Sequence, residues 1–184
     1  MSPVPTADDL ENGVSAIAGH FLETFHAEHR ALRDLLLALI DAFGKGESSR
    51  ARRLVAAVSA LTGPHFRYEE EALYPGLVPI FGPGYVEKLL ADHDDTIRNV
   101  RELTELADLA LRNDLEEIDD DQAAWGIELT RELLPHLSDC DGLSIMVETL
   151  PEDDVVHLLA TRDVVMETNL DLLTWAATVR GRHV

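Results

Sequence analysis

The stretch "HFRYEEEALYP", residues 65 to 75, places a histidine and three consecutive glutamates near the end of a helical pattern. Residues at i and i+4 lie about 40° apart around an α-helix, so His65 and Glu69 face the same side. An imidazole and a carboxylate directed at one point can bind a metal ion. Glu70 and Glu71 rotate away, toward solvent or the outer side of the ligands. We therefore predict that Glu69 points inward as a metal ligand.

Several predicted helices share one feature, a histidine within an apolar stripe. A period of about 3.6 residues predicts helices rather than strands throughout. The predicted helices cover residues 15–43, 48–74, 84–112, 120–147 and 151–178. The breakers of "PGLVPIFGPG", residues 75 to 84, are expected to end the second helix. Each of the first four apolar stripes contains one histidine: His29, His65, His93 and His136.

The connections between these predicted helices are short, which favours antiparallel neighbours. We predict an all-α fold: an antiparallel up-down four-helix bundle with an additional C-terminal helix. The predicted organisation is an N-terminal extension over 1–14, a metal-binding bundle over 15–150, and a C-terminal helix over 151–184 that packs on the bundle. Thr149 and Glu152 fit a capping box at the start of this last helix. The helix either covers the open end of the bundle or forms a dimer contact.

Composition and charge exclude several classes of partner. The formal net charge of −20, from 35 acidic and 15 basic residues, repels phosphate backbones and anionic lipids. We therefore expect neither nucleic acid nor a membrane as a partner. Cys140 is the single cysteine, so no intrachain disulfide can form. The start, "MSPVPTADDLENG", has no basic segment followed by an apolar one, and we expect a cytoplasmic protein.

Four inward histidines together indicate a metal site. A single buried histidine is more often a core residue whose ring is hydrogen-bonded, and a metal-free helical interaction module is the alternative if all four are of this kind. Imidazole and carboxylate ligands without paired thiolates suit iron, manganese or zinc. Bundle cores built from such ligands commonly hold two metals bridged by carboxylates.

Four motifs carry a resemblance over roughly residues 20 to 150. They are His29 in "EHRALRDLLLAL", the HxxxE of His65 and Glu69, His93 in "LLADHDDTI", and His136 in "LLPHLSDCDG". In order and spacing the chain resembles haemerythrin-like proteins, the HHE cation-binding domain family. The resemblance implies an antiparallel four-helix bundle around a non-haem di-iron centre. His29 and His65 would serve one iron, and His93 and His136 the other. Glu69 would bridge the two.

The chain departs from this family's pattern at two positions. Oxygen-carrying members have a second histidine one turn after the equivalent of His93, where this chain has Ile97. The metal-coordination position that this histidine fills in oxygen carriers is then open, bound by water, or filled by a neighbouring residue. HHE domains usually have glutamate four residues after the equivalent of His136, where this chain has Cys140. Asp141 matches the HxxxxD spacing of oxygen carriers and is the predicted ligand if the helix bulges near it, with Cys140 as the rival.

The resemblance implies binding of O2 or a related small oxidant such as peroxide or NO, for storage, sensing or turnover. An open metal position favours redox chemistry over plain reversible carriage. The alternatives are a di-iron enzyme that removes peroxide or reduces NO, and the metal-free module. For the module, His65→Ala would change stability without changing metal content.

Overall fold

The computed structural model describes residues 16–112 and 118–180, and every regular element within these ranges is a helix. The all-α class is therefore confirmed. The predicted extension over 1–14 lies outside the described residues. Within the described ranges, no helix is both long enough and apolar enough to span a bilayer. The helices are α1 Ala16–Gly44, α2 Ser48–Tyr68, α3 Tyr74–Phe81, α4 Pro83–Arg112, α5 Asp120–Glu132, α6 Leu134–Ser144, α7 Glu152–Thr168 and α8 Leu172–Val179.

The first and third predicted helices agree with α1 and α4 to within one residue at each end. The second does not end where the prediction placed it, because α3 continues the helical path to Phe81 through a π-helical turn at Glu69–Leu73. Pro75 lies in the first turn of α3, where a missing N–H costs little. The chain leaves the helix only at Gly82, whose φ is +81°.

The fourth and fifth predicted helices are each divided. Leu133 separates α5 from α6, and Pro135 in the first turn of α6 cannot donate the N–H that a continuous helix requires. A 3₁₀ turn at Ile145–Thr149 follows α6. Asn169, with a left-handed φ of 46°, ends α7. The capping box is also wrong, because the hydroxyl of Thr149 donates to the carbonyl of Met146 instead.

The histidine layer lies between two apolar clusters. Along α1, Phe25 belongs to one cluster and Leu32 to the other, with His29 between them. Along α4, Leu89 and Ile97 belong to the two clusters in the same way and flank the third histidine. Apolar side chains therefore cover the polar layer on both sides and keep its environment poor in water.

The C-terminal helices share both clusters with the rest of the chain. Buried side chains of α7 join one cluster, and those of α8, including Leu172 and Trp175, join the other. At Gly63, α2 lies directly against the turn before α8: a Cβ there would be 2.3 Å from the carbonyl oxygen of Leu170. The C-terminal helices therefore contribute to a common core with the other helices. The boundary between residues 150 and 151 stays a prediction.

Candidate metal centre

Four helical segments bring potential ligands to one point. Nε2 of His29, on α1, lies 2.9 Å from Nε2 of His65, on α2. Nε2 of His65 lies 3.6 Å from Oε1 of Glu69, and Nε2 of His93, on α4, lies 3.2 Å from Oε2 of Glu69. His65 and Glu69 therefore do point at the same space, as their spacing predicted.

The potential ligand atoms form two groups, and within each group all atoms lie within 4.8 Å of one another. Glu69 belongs to both groups. One group is completed by His29 and His65, and the other by His136 and Cys140 from α6. A carboxylate has two oxygens, so a residue common to two groups can serve both.

The Glu69 carboxylate is the most unusual polar group in the core. It is fully buried, and neither oxygen makes a hydrogen bond of good geometry with a described residue, although Nε2 of His93 lies 3.2 Å from Oε2. Burial raises the pKa of Glu69, but attraction to His65 and His93 outweighs burial and holds the pKa well below its usual range. A buried charge without hydrogen bonds is costly unless a cation compensates it. The donor set, imidazoles and a carboxylate, fits a transition-metal cation.

The π-helical turn begins at Glu69 itself. The backbone N–H of Tyr74 donates to the carbonyl of Glu69, five residues earlier. Such turns occur mostly as single insertions within α-helices and are frequent at functional sites. The next residue, Pro75, has no N–H, which removes one α-helical hydrogen bond at this position. The periodicity of the sequence did not predict this turn.

Three histidines are held from outside by carboxylates. In each, Nδ1–H donates to a carboxylate, and Nε2 points into the site. This arrangement fixes the ring orientation and makes the imidazole a stronger donor to a metal. The pairs are His29 with Asp141 at 2.7 Å, His65 with Glu28 at 2.8 Å, and His93 with Glu70 at 2.8 Å.

The hydrogen bond between His29 and His65 requires a proton on one of the two Nε2 atoms. Burial lowers the pKa of His29, and repulsion by the charge of His65 lowers it further, to about 4. Burial also lowers the pKa of His65, but the Glu69 and Glu28 carboxylates outweigh burial and raise it to about 9. We therefore assign the proton to Nε2 of His65, which donates to Nε2 of His29. A cation held by both nitrogens would replace this proton.

The structure does not bring Asp141 to the ligand groups. α6 is regular through Gly142, so Asp141 stays about 140° around the helix from His136. Its carboxylate contacts the outer nitrogen of His29 and is 32% exposed. Sγ of Cys140, by contrast, is buried 3.5 Å from Nε2 of His136. Burial lowers the pKa of His136 to about 3, which leaves this ring neutral and able to coordinate.

The sequence reasoning missed Tyr74 as a neighbour of the site. Its hydroxyl lies 2.8 Å from Nε2 of His93 and 3.8 Å from Sγ of Cys140. On a regular α-helix Tyr74 would be about 140° around from Glu69, but the wider π turn brings residues five apart into nearly one turn. Ile97, the residue at the departure from the oxygen-carrier pattern, is buried in an apolar cluster.

A helical fold around buried imidazoles and a shared carboxylate defines this chain as a metal-binding helical protein. The comparison with family models agrees: residues 20–143 match the hemerythrin HHE cation binding domain. The match covers more than half of the chain, and the chain belongs to this family. No significant match was found among curated proteins or among solved structures.

Proposed function

We propose that this chain is a non-haem di-iron protein that binds O2 or a related small oxidant such as peroxide or NO. The observation that carries the proposal is the buried Glu69 carboxylate, which belongs to two ligand groups and makes no hydrogen bond of good geometry with a described residue. We further propose that α1, α2, α4 and the α5–α6 pair form the antiparallel four-helix bundle of the family. Iron is preferred by family membership, and the ligand types also suit manganese or zinc.

The proposed ligands form two sets that have Glu69 in common. His29 and His65 serve one metal, and His93 and His136 serve the other. We propose Cys140 rather than Asp141 as the further ligand on α6, because Sγ of Cys140 lies 3.5 Å from Nε2 of His136. The carboxylate of Asp141 then orients His29 from outside.

The protein contributes orientation, charge and exclusion of water. When bound, an iron pair supplies reversible binding of a small oxidant or electron transfer to it. The outer carboxylates hold three rings so that Nε2 faces the site, and Glu69 provides negative charge between them. The apolar clusters on either side exclude bulk water, which strengthens these electrostatic interactions.

An enzyme that removes peroxide or reduces NO is the second candidate function. Two observations favour it. The Tyr74 hydroxyl can hold a proton beside Nε2 of His93. In addition, His136 borders a surface cleft of about 310 Å³, which offers a small molecule a path toward the site. Consumption of the oxidant over many turnovers would distinguish this enzyme from a protein that binds it reversibly.

A metal-free interaction module is the third possibility, and one comparison of variants tests it. We expect wild-type protein from iron-supplemented cells to contain about two irons per chain by plasma mass spectrometry. His157→Ala, on the exposed face of α7, should retain this content, whereas His65→Ala should lose most of it. Equal metal content in His65→Ala and His157→Ala would contradict His65 as a ligand, and folded wild-type protein without iron would contradict the proposed function.

A further inference from the structure

An arginine of α7 contacts the carboxylate that holds His65. Nε of Arg162 donates to Oε1 of Glu28 at 2.8 Å, and Nη2 of Arg162 contacts the same oxygen. The other oxygen of Glu28 accepts from Nδ1–H of His65 and from the hydroxyl of Tyr68, both at 2.8 Å. Glu28 therefore connects a cation on one side to a proposed metal ligand on the other.

A second arginine, just after α8, does the same for His93. Nη2 of Arg180 donates to Oε1 of Glu70 at 2.6 Å, and this oxygen also accepts from Nδ1–H of His93 at 2.8 Å. Nε of Arg180 contacts Asp94, and its guanidinium lies 5.0 Å from the ring centroid of Trp175. The second series of contacts has the same order as the first: arginine, carboxylate, histidine.

Both arginines lie beyond residue 143, where the family match ends. The arginine side chains are 18% and 27% exposed, and those of their partners Glu28 and Glu70 are 10% and 16% exposed. Ion pairs at this depth are screened less by solvent and salt than surface pairs. Two separate parts of the C-terminal segment, residues 151–180, thus contact carboxylates that hold proposed ligands: one lies on α7 and the other just after α8, one for each proposed metal.

We infer that Arg162 and Arg180 are positioning residues that set how strongly His65 and His93 donate electrons to the metals. The C-terminal segment would then influence the properties of the metal centre directly. The inference rests on the proposed function. A guanidinium bound to a carboxylate reduces the effective negative charge of the carboxylate. The carboxylate is then a weaker hydrogen-bond acceptor for the ring N–H. The imidazole is then a weaker electron donor, and the positive charge itself opposes oxidation of a nearby metal.

Removing either arginine should therefore lower the midpoint potential of the iron centre, since both effects have the same sign. We would prepare full-length Arg162→Gln and Arg180→Gln, with Arg98→Gln as the matched control. Arg98 pairs with Asp95 on the exposed face of α4, where the side chains are 66% and 62% exposed. Spectroelectrochemical titration of the iron-loaded proteins gives the potential, and plasma mass spectrometry gives the iron per chain.

We expect a negative shift in each arginine variant and none in Arg98→Gln. The shifts should add in the double variant, because the two series of contacts share no residue. Arg162→Lys retains the charge but not the two-nitrogen contact, and it should shift the potential less than Arg162→Gln. If Arg162→Gln does not fold, the lysine variant decides for this position, and an unchanged potential overturns the inference there.

The two proposals can fail separately. Wild-type protein that binds iron, with potentials of Arg162→Gln and Arg180→Gln equal to that of Arg98→Gln, would overturn the inference and leave the proposed function intact. Folded wild-type protein without iron would overturn both.

Discussion

Replacing Gly63 by alanine should disturb the close contact between α2 and the turn before α8. A Cβ at this position would lie 2.3 Å from the carbonyl oxygen of Leu170 and 2.6 Å from the backbone nitrogen of Leu172. Both atoms belong to the backbone, one in the turn between α7 and α8 and the other in the first residue of α8, so no side chain can rotate to make room. The turn must move, and the packing of Trp175 beyond it is disturbed.

The magnitude follows from two opposing effects. Overpacking of a close contact costs about 1–3 kcal/mol, and a clash with backbone belongs at the upper end of that range. Alanine in a helix interior is more stable than glycine by about 0.5–1 kcal/mol. We therefore expect Gly63→Ala to lower the free energy of unfolding by about 2 kcal/mol.

Urea unfolding of the metal-free protein, followed by circular dichroism, measures this change. Gly19→Ala is the matched control, because no described atom lies within 4 Å of a Cβ at this position of α1 beyond its own helix. It should gain about 0.5–1 kcal/mol from helix propensity. A Gly63→Ala protein as stable as the wild type, alongside a stabilised Gly19→Ala, would refute the close-approach argument.

Five further substitutions test the cap of α8 and the proposed ligands. Asp171 accepts from two backbone N–H groups at the start of α8, so Asp171→Ala should cost about 1 kcal/mol in urea unfolding, and Asp171→Asn should restore most of it. Wild-type protein should gain about 2.7 kcal/mol of stability at a free iron concentration one hundred times the dissociation constant. Glu69→Gln should lose most of this gain, and an equal gain would count against a bridging carboxylate. Cys140→Ser should remove a long-wavelength thiolate band from the oxidised protein while Asp141→Asn keeps it, and an iron-loaded wild type without this band would contradict Cys140 as a ligand.

The sequence predicted the long helices better than their interruptions. α1 and α4 have uninterrupted apolar stripes, and their bounds follow from periodicity and breakers. The breaks at Leu133 and Asn169 depend on single residues within stripes that otherwise continue, so periodicity averages over them. The extension to Phe81 depends on a π turn, which has no simple hydrophobic period.

The inner part of the candidate site was predictable because its residues repeat a local pattern. His65 and Glu69 are four residues apart on one helix, and their convergence follows from helix geometry alone. The outer part was not predictable in this way. Arg162 lies 134 residues from Glu28 along the chain, and only the tertiary packing of α7 brings them together. Asp141 differs from the prediction in another way: its spacing from His136 predicted a ligand, whereas the regular helix directs its carboxylate to the outer nitrogen of His29.

An anomalous-scattering map of a crystal, recorded at the iron absorption edge, tests the central claim most directly. The account predicts two iron peaks in the buried layer, one on each side of the Glu69 carboxylate, with Nε2 atoms of the four histidines around them. Crystals of protein grown with iron that show an ordered Glu69 and no anomalous peak beside it would contradict the account.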